Sequence, residues 1–321
     1  MTKRLIATDE AGYGPQLGPL VIAATCWDLP EAADMTATLA DLEQGFEIPS
    51  LGRVRIGDSK KLFAPGRAGG LRTLEIAMLS VAACASSRPI ASLAQWLRLL
   101  SPATPESLAT TRWFANLSER FPIDLKESID WTQLTAAVGE HWQTDTLQMR
   151  SASATILSAA AFNAMCASAG NKATLLSEQT VALVKPQILD CDAEDVEVFS
   201  DKHGGRAYYG SLLQHFFPEG RVSVETEGRL TSRYQVQLAD RTIRWHFTAK
   251  GDTFAPVALA SMIAKYTRER LMDVFNAYWQ AQVPGLRPTA GYPGDARRFL
   301  SEIASAIAKQ KLTDQELVRF R

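Results

Sequence analysis

Four carboxylates in this chain stand beside glycine or a basic residue where the chain turns. Asp9 and Glu10 are adjacent at the mouth of "DEAGYGPQLGP", straight after the apolar "RLIAT". Asp201 closes "DVEVFSD" ahead of "KHGGR", and Asp252 lies in "TAKGDTFAP". Oxygen ligands without a Cys or His cluster suit a hard cation such as Mg²⁺ or Mn²⁺. Two such ions clamp an in-line displacement at phosphorus: one activates the attacking water, the other stabilises the leaving oxygen. Taken singly, each acid is better explained as a cap or turn residue. The case rests on the four together, and spacing alone does not bring them together.

Short strands and buried helices must do that. "KRLIAT" and "GPLVIAATCW" read as two neighbouring strands in a hairpin-like pair. A loop and a short helix follow from about 30 to 56. "SASATILSAAAFNAMCASA" has apolar residues at helical spacing and reads as a buried helix, with a second helical stretch running to about Val184. "DVEVFS" alternates and predicts a strand ending at Asp201. "RVSVETEG", "SRYQVQLAD" and "TIRWHFTAKG" predict an antiparallel meander. "APVALASMIAKYTRERLMDVFNAYWQAQ" predicts a long helix with Pro256 in its first turn. Residues 64–149 change character, with "LRTLEIAMLSVAACA", "SLAQWLRLL" and "WTQLTAAVGEHW" as helical stretches. They read as a helical insertion into a domain made of 1–63 and 150–321, with Trp96, Trp113, Trp131 and Trp142 as core fillers.

The bulk composition narrows the class. With 321 residues, 46% apolar and 21% charged, the chain reads as an ordinary folded protein of one large domain or two smaller ones. A net charge of −1 means that any nucleic-acid surface must concentrate its basic residues locally. No apolar run is long enough to span a bilayer, the start lacks a signal-peptide core, and Cys26, Cys84, Cys166 and Cys191 form no CxxC pair. A reduced, cytoplasmic setting without membrane association is the expectation.

"TDEAGYGPQLGPLVIAA", "GDSKKL", "KGDTFAPVALASMIAKYTRERLM" and "AGYPG" fall in the order seen in type 2 ribonuclease H, which the chain resembles over about half its length. The resemblance implies a ribonuclease H-like α/β fold: a central mixed sheet flanked by helices, here carrying the helical insertion and an extra antiparallel β segment. It implies that Asp9, Glu10, Asp201 and Asp252 are catalytic metal ligands for Mg²⁺ or Mn²⁺, in a two-metal arrangement. Asp190 and Asp192 compete with Asp201 for the third place. Gly12 and Gly14 match glycines whose backbone approaches the scissile phosphate and the ribose 2′-hydroxyl, where no Cβ blocks the way. Ser59, Lys60 and Lys61 match the turn that binds backbone phosphates, and Tyr292 the tyrosine packed against the sugar beside the cut. Lys250 and Lys265 are phosphate or site-edge charges by the same resemblance, and equally well solvated lysines. His203 is either a proton shuttle or a turn residue.

Two departures stand out. The family carries arginine between the glycines, and this chain has Tyr13, which removes a rigid fork of donors and supplies a ring that could stack on substrate. Glu269 stands where aspartate is usual. The segment around 210–248 interleaves Arg221, Arg229, Arg233, Arg241 and Arg244 with Tyr234, Trp245 and Phe247. That pattern suits either a backbone-tracking surface or a solvated strand face over an aromatic core. The expected activity is metal-dependent hydrolysis of the RNA strand of an RNA–DNA hybrid or ribonucleotide-containing duplex, leaving 5′-phosphate and 3′-hydroxyl ends. Alternatives are a nuclease of the same fold acting on another structured RNA or DNA, and a non-catalytic nucleic-acid-binding module. The sequence names no protein partner.

Overall fold

The computed structural model describes residues 2–63, 70–122, 124–125 and 128–320. The first residues of the helical stretch, 64–69, lie outside that set. Strands β1 (Thr2–Ala11) and β2 (Leu20–Pro30) pair antiparallel, with Asp9 opposite Ala23. Next come α1 (Met35–Gln44), a small ribbon of β3 (Glu47–Ile48) and β4 (Gly52–Arg53), and α2 (Ser59–Leu62). Helices α3 (Arg72–Ala85), α4 (Leu93–Leu100), α5 (Thr104–Ala109) and α6 (Trp131–Trp142) precede β5 (Gln148–Leu157). The second half holds α7 (Ala159–Ala169), α8 (Lys172–Leu189), β6 (Asp195–Asp201) and α9 (Gly210–Phe216). It continues with β7 (Arg221–Glu227), β8 (Thr231–Gln237), β9 (Thr242–Thr248), α10 (Ala255–Gln282), α11 (Pro293–Gln310) and α12 (Asp314–Leu317).

Among the described residues, seven strands make one mixed sheet in the order β5-β2-β1-β6-β9-β8-β7. β1, β6 and β9 run parallel, and the remaining pairings are antiparallel. Alternation along β1 sends Leu5 and Ala7 to one face and Ile6 to the other. The first face is covered by α10 and by the helices between residues 72 and 142, with Trp96, Trp113 and Trp142 buried and Trp131 partly buried. Helices α8 and α9 cover the other face. This is the ribonuclease H-like architecture expected, a mixed sheet between two helical layers. Among the described residues no helix is long and apolar enough to cross a membrane.

Two local expectations change. "SASATIL" is not helix but the end of β5, paired with β2 from Asp28 to Leu20. Its small residues alternate in burial, and the helix starts only after Ser158, whose side chain accepts from the Ala161 N–H as an N-cap. Helix α8 continues past Val184 to Leu189 with Pro186 inside it. The meander forms as β7-β8-β9, and Tyr234, Trp245 and Phe247 are fully buried in it. Arg241 donates to the carbonyls of Ile188 and Cys191, and Arg244 to Asp195 and Glu197. At Arg241 and Arg244 the interleaved pattern is therefore a strand face over an aromatic core, while Arg221, Arg229 and Arg233 are exposed.

Candidate active site

The parallel strands β1, β6 and β9 end together, and their ends carry the acids. Asp9 shares the parity of Leu5 and Ala7, so it faces α10, where it bonds with Ser261. Asp201 is the last residue of β6 and accepts from the Gly251 N–H at 3.0 Å, which seats the short turn Gly251–Thr253 and Asp252 against the strand end. Asp190 and Asp192 precede the other end of β6, a strand length of roughly 20 Å away, so they take no part. Beneath the acids, Ser200 is bonded by Thr8 at 2.8 Å and by the Trp245 indole at 3.0 Å, all three buried. This ties the strand ends in register. Ser200→Ala strands both partners without water, and we expect it to cost about 1–3 kcal/mol in a urea melt. An unchanged midpoint would show that the network contributes nothing.

A cleft of about 240 Å³ opens over these ends, lined by Asp9, Glu10, Asp201 and Asp252. Gly12, Ser59, Lys60 and Tyr292 also line it, so all four sequence motifs meet there. Burial first, then the nearby Asp201 and Asp252, push the Asp9 carboxyl up to about 7, against the hydrogen bonds from Ser261 and the Glu10 N–H. Burial also holds Glu10 well above the usual carboxylate range, with Asp9 and Asp201 adding to it and Lys60 opposing. Among the described residues no three His, Cys, Asp or Glu side chains are arranged to hold an ion as they stand. The acids ring the cleft and repel one another across it.

The supporting residues divide by place. Ser59 is buried and bonded to Ser261 at 3.1 Å, so it joins a hydroxyl chain that leads to Asp9. Lys60 is the second residue of the short α2, and its N–H donates to the side chain of the Asp58 cap at 3.0 Å. A second trench of about 630 Å³ shares Lys60 and Asp252 with the cleft and adds Lys61 and Lys250, both exposed. Gly12 has φ of +93°, and a Cβ there would lie 2.6 Å from both Arg268 Nε and the Pro19 carbonyl oxygen. Gly14 is open, with only the Tyr292 ring nearby at 3.7 Å. Tyr292 is 55% exposed, and the preceding Gly291 accepts at its carbonyl from the Gln16 and Leu17 N–H groups.

Other residues sit elsewhere. Tyr13 does not line the cleft: its ring lies under Lys172 Nζ at 4.6 Å and packs against Gly204, in the loop that follows Asp201. His203 is buried, bonded to Ser177 at 3.0 Å, and pushed down by burial to about 3, so it is a neutral turn residue. Glu269 is held by Lys265 at 2.7 Å. Ser261 and Arg268 line the cleft but were not singled out from the sequence. The signal was present: Ser261, Lys265 and Arg268 recur at helical spacing after Asp252 and so share one face of α10. Buried Arg268 donates to the carbonyls of Leu17 and Ala290, which joins the glycine turn to the "AGYPG" segment.

No family model and no curated protein matches the sequence. Solved structures similar to the chain include the PCNA:RNase HII complex from Archaeoglobus fulgidus, at 16% identity, with 100% of this chain and 95% of that chain covered and a TM-score of 0.41. The ribonuclease H2 of Pyrococcus horikoshii OT3 is 13% identical, covering 98% of this chain and 92% of that chain at a TM-score of 0.41. Bst-RNase HIII in complex with Mn²⁺ is 16% identical, with 98% of this chain but 65% of that chain covered and a TM-score of 0.40.

Proposed function

We propose that this chain is a divergent type 2 ribonuclease H, a metal-dependent endonuclease that hydrolyses the RNA strand of RNA–DNA hybrids to 5′-phosphate and 3′-hydroxyl ends. The observation that carries the reading is convergence: segments from Asp9 to Tyr292, far apart in sequence, line one cleft at the shared end of three parallel strands. The donor set fits a hard cation, because it is oxygen only and because like charges crowded there need a counter-charge. Asp9, Glu10, Asp201 and Asp252 would hold Mg²⁺ or Mn²⁺, in a two-metal arrangement. When bound, such ions supply an activated water and a counter-charge for the leaving oxygen.

The chain's own groups do the rest. Ser261 orients Asp9, and the Gly251 N–H orients Asp201. Lys60, Lys61 and Lys250 face the path of a phosphate backbone along the cleft and trench. The Tyr292 ring beside open Gly14 offers a flat surface to the sugar at the cut, while the glycine-turn backbone reads the 2′-hydroxyl.

Labelled duplexes in Mg²⁺ or Mn²⁺ test this. We expect the hybrid to be cut, and plain DNA and double-stranded RNA to be left intact. A DNA duplex with one ribonucleotide should be cut about 10–100-fold more slowly than the hybrid, since Tyr13, packed on Gly204, supplies no charged fork to the phosphate. That same placement favours a second reading, a same-fold nuclease with another structured RNA or DNA substrate. Metal-dependent cutting of a branched or structured substrate, with hybrids untouched, would establish it in place of ours. Tight metal-independent binding with no cleavage would leave a binding module.

A further inference from the structure

Tyr208 and Leu230, each 70% exposed, are the most exposed large apolar side chains among the described residues. They sit on backbone that is firmly held. Lys202, next to Asp201, donates to the Gly228 carbonyl and to Ser232 Oγ, each at 2.7 Å. Ser232 donates in turn to the Ala207 carbonyl at 2.6 Å, and the Tyr209 N–H to the Tyr234 hydroxyl at 2.8 Å. The Leu230 carbonyl accepts from the Ala249 N–H at 2.8 Å, one residue before Lys250 of the trench. The loop after β6 and the β7–β8 turn thus form one ledge. It lies at the acid-bearing end of the sheet, because Thr231 pairs with Thr248 and Thr248 with Asp201.

The ledge is basic as well as apolar. Arg206 engages Nε with the Tyr208 carbonyl at 2.7 Å, and Arg229 is exposed. Neither forms an ion pair among the described residues. The nearby Glu227 is occupied by the Tyr234 hydroxyl. Two strand spacings separate the Leu230 end from Asp201, roughly 10 Å, or about three base steps. Cations beside apolar side chains on firmly held backbone, continuous with the lysine-lined trench, match a nucleic-acid backbone with its sugar edges.

We infer that this ledge binds the arm of the hybrid duplex beyond the cut. Arg206 and Arg229 contact phosphates, and Tyr208 and Leu230 lie against the sugars. The inference rests on the nuclease reading. Its test compares hybrids that extend about three or about twelve base pairs from the cut, on each side in turn, using the full chain in Mg²⁺. The parent protein should have a lower KM for the longer arm on one side. Tyr208→Ser with Leu230→Ser should remove that advantage, raising KM for the long arm about tenfold. Arg206→Gln with Arg229→Gln should flatten the slope of log affinity against log salt by about two. Circular dichroism melts check that these surface variants fold; should one pair unfold, the other still decides. Cleavage by the parent with no arm-length preference, or variants that keep it, overturns the ledge and leaves the nuclease reading intact. Variants that bind hybrids normally but lose capture of a protein partner overturn it also. A parent that neither cuts nor binds any hybrid overturns both.

Discussion

Asp9→Asn is expected to lower hybrid cleavage at least about 10³-fold while raising the melting temperature of the metal-free protein by about 2–5 °C. The opposite signs come from one cause. Asp9 sits in the cleft with Asp201 and Asp252 close enough to disfavour its charge, and burial pushes its carboxyl from 3.8 to about 7. Asparagine keeps the shape and an oxygen for the Ser261 hydroxyl but removes the charge that the fold strains against. On the proposed nuclease reading it also removes a charge that would hold the cation. Calorimetry with and without Mn²⁺ separates the two effects. The parent should gain stability on Mn²⁺ addition, and the variant should gain little. The same logic sets the pH dependence of the metal-free parent. A carboxyl whose folded pKa is raised binds its proton more tightly in the folded state between about 4 and 7. Stability therefore falls as pH rises through that window and levels off above it, and Asp9→Asn should flatten the slope. A variant that cleaves at the parental rate would remove Asp9 from the chemistry, and one that melts lower in the metal-free state would refute the strained-charge account.

Much of the framework was legible because it rests on local pattern. The alternation in "DVEVFS" ends at Asp201, and the helix after Asp252 runs as its apolar stripe and first-turn proline require. The misread "SASATIL" shows where pattern fails. Small residues satisfy helix and strand alike, and only pairing with β2 decides. The candidate site was partly legible for a similar reason. The four acids were visible as residues in turns, but their sharing of one cleft depends on β1, β6 and β9 lying side by side, which is long-range information. Ser261 and Arg268 were overlooked because a polar residue on a long helix has no meaning until the strand it faces is known. Tyr13 was expected near substrate because it replaces an arginine. Its partners, Lys172 and the loop after Asp201, come from other parts of the chain and turn its ring away from the cleft lining.

The two glycines of the turn should separate fold from substrate binding. Gly12→Ala is expected to cost about 3–5 kcal/mol and to lower the melting temperature by about 5–10 °C. Its φ of +93° is unfavourable for any Cβ, and that Cβ would meet the Pro19 carbonyl oxygen at 2.6 Å. Backbone cannot swing aside as a flexible side chain can. The other obstacle, Arg268, is fixed by the Leu17 and Ala290 carbonyls, so moving it loosens the junction with the Tyr292 segment. Gly14→Ala should behave differently. Its site has no positive φ, and a Cβ would make only ordinary contact with the Tyr292 ring at 3.7 Å. Its melting temperature should stay within about 1 °C of the parent. If a ribose and its phosphate approach the backbone there, the added methyl stands in their way, and kcat/KM on a hybrid should fall about 10–100-fold. Equal melting temperatures for the two variants would contradict the packing beneath Gly12. Parental cleavage by Gly14→Ala would show that substrate does not pass over this turn, and the glycine motif would then serve the fold alone.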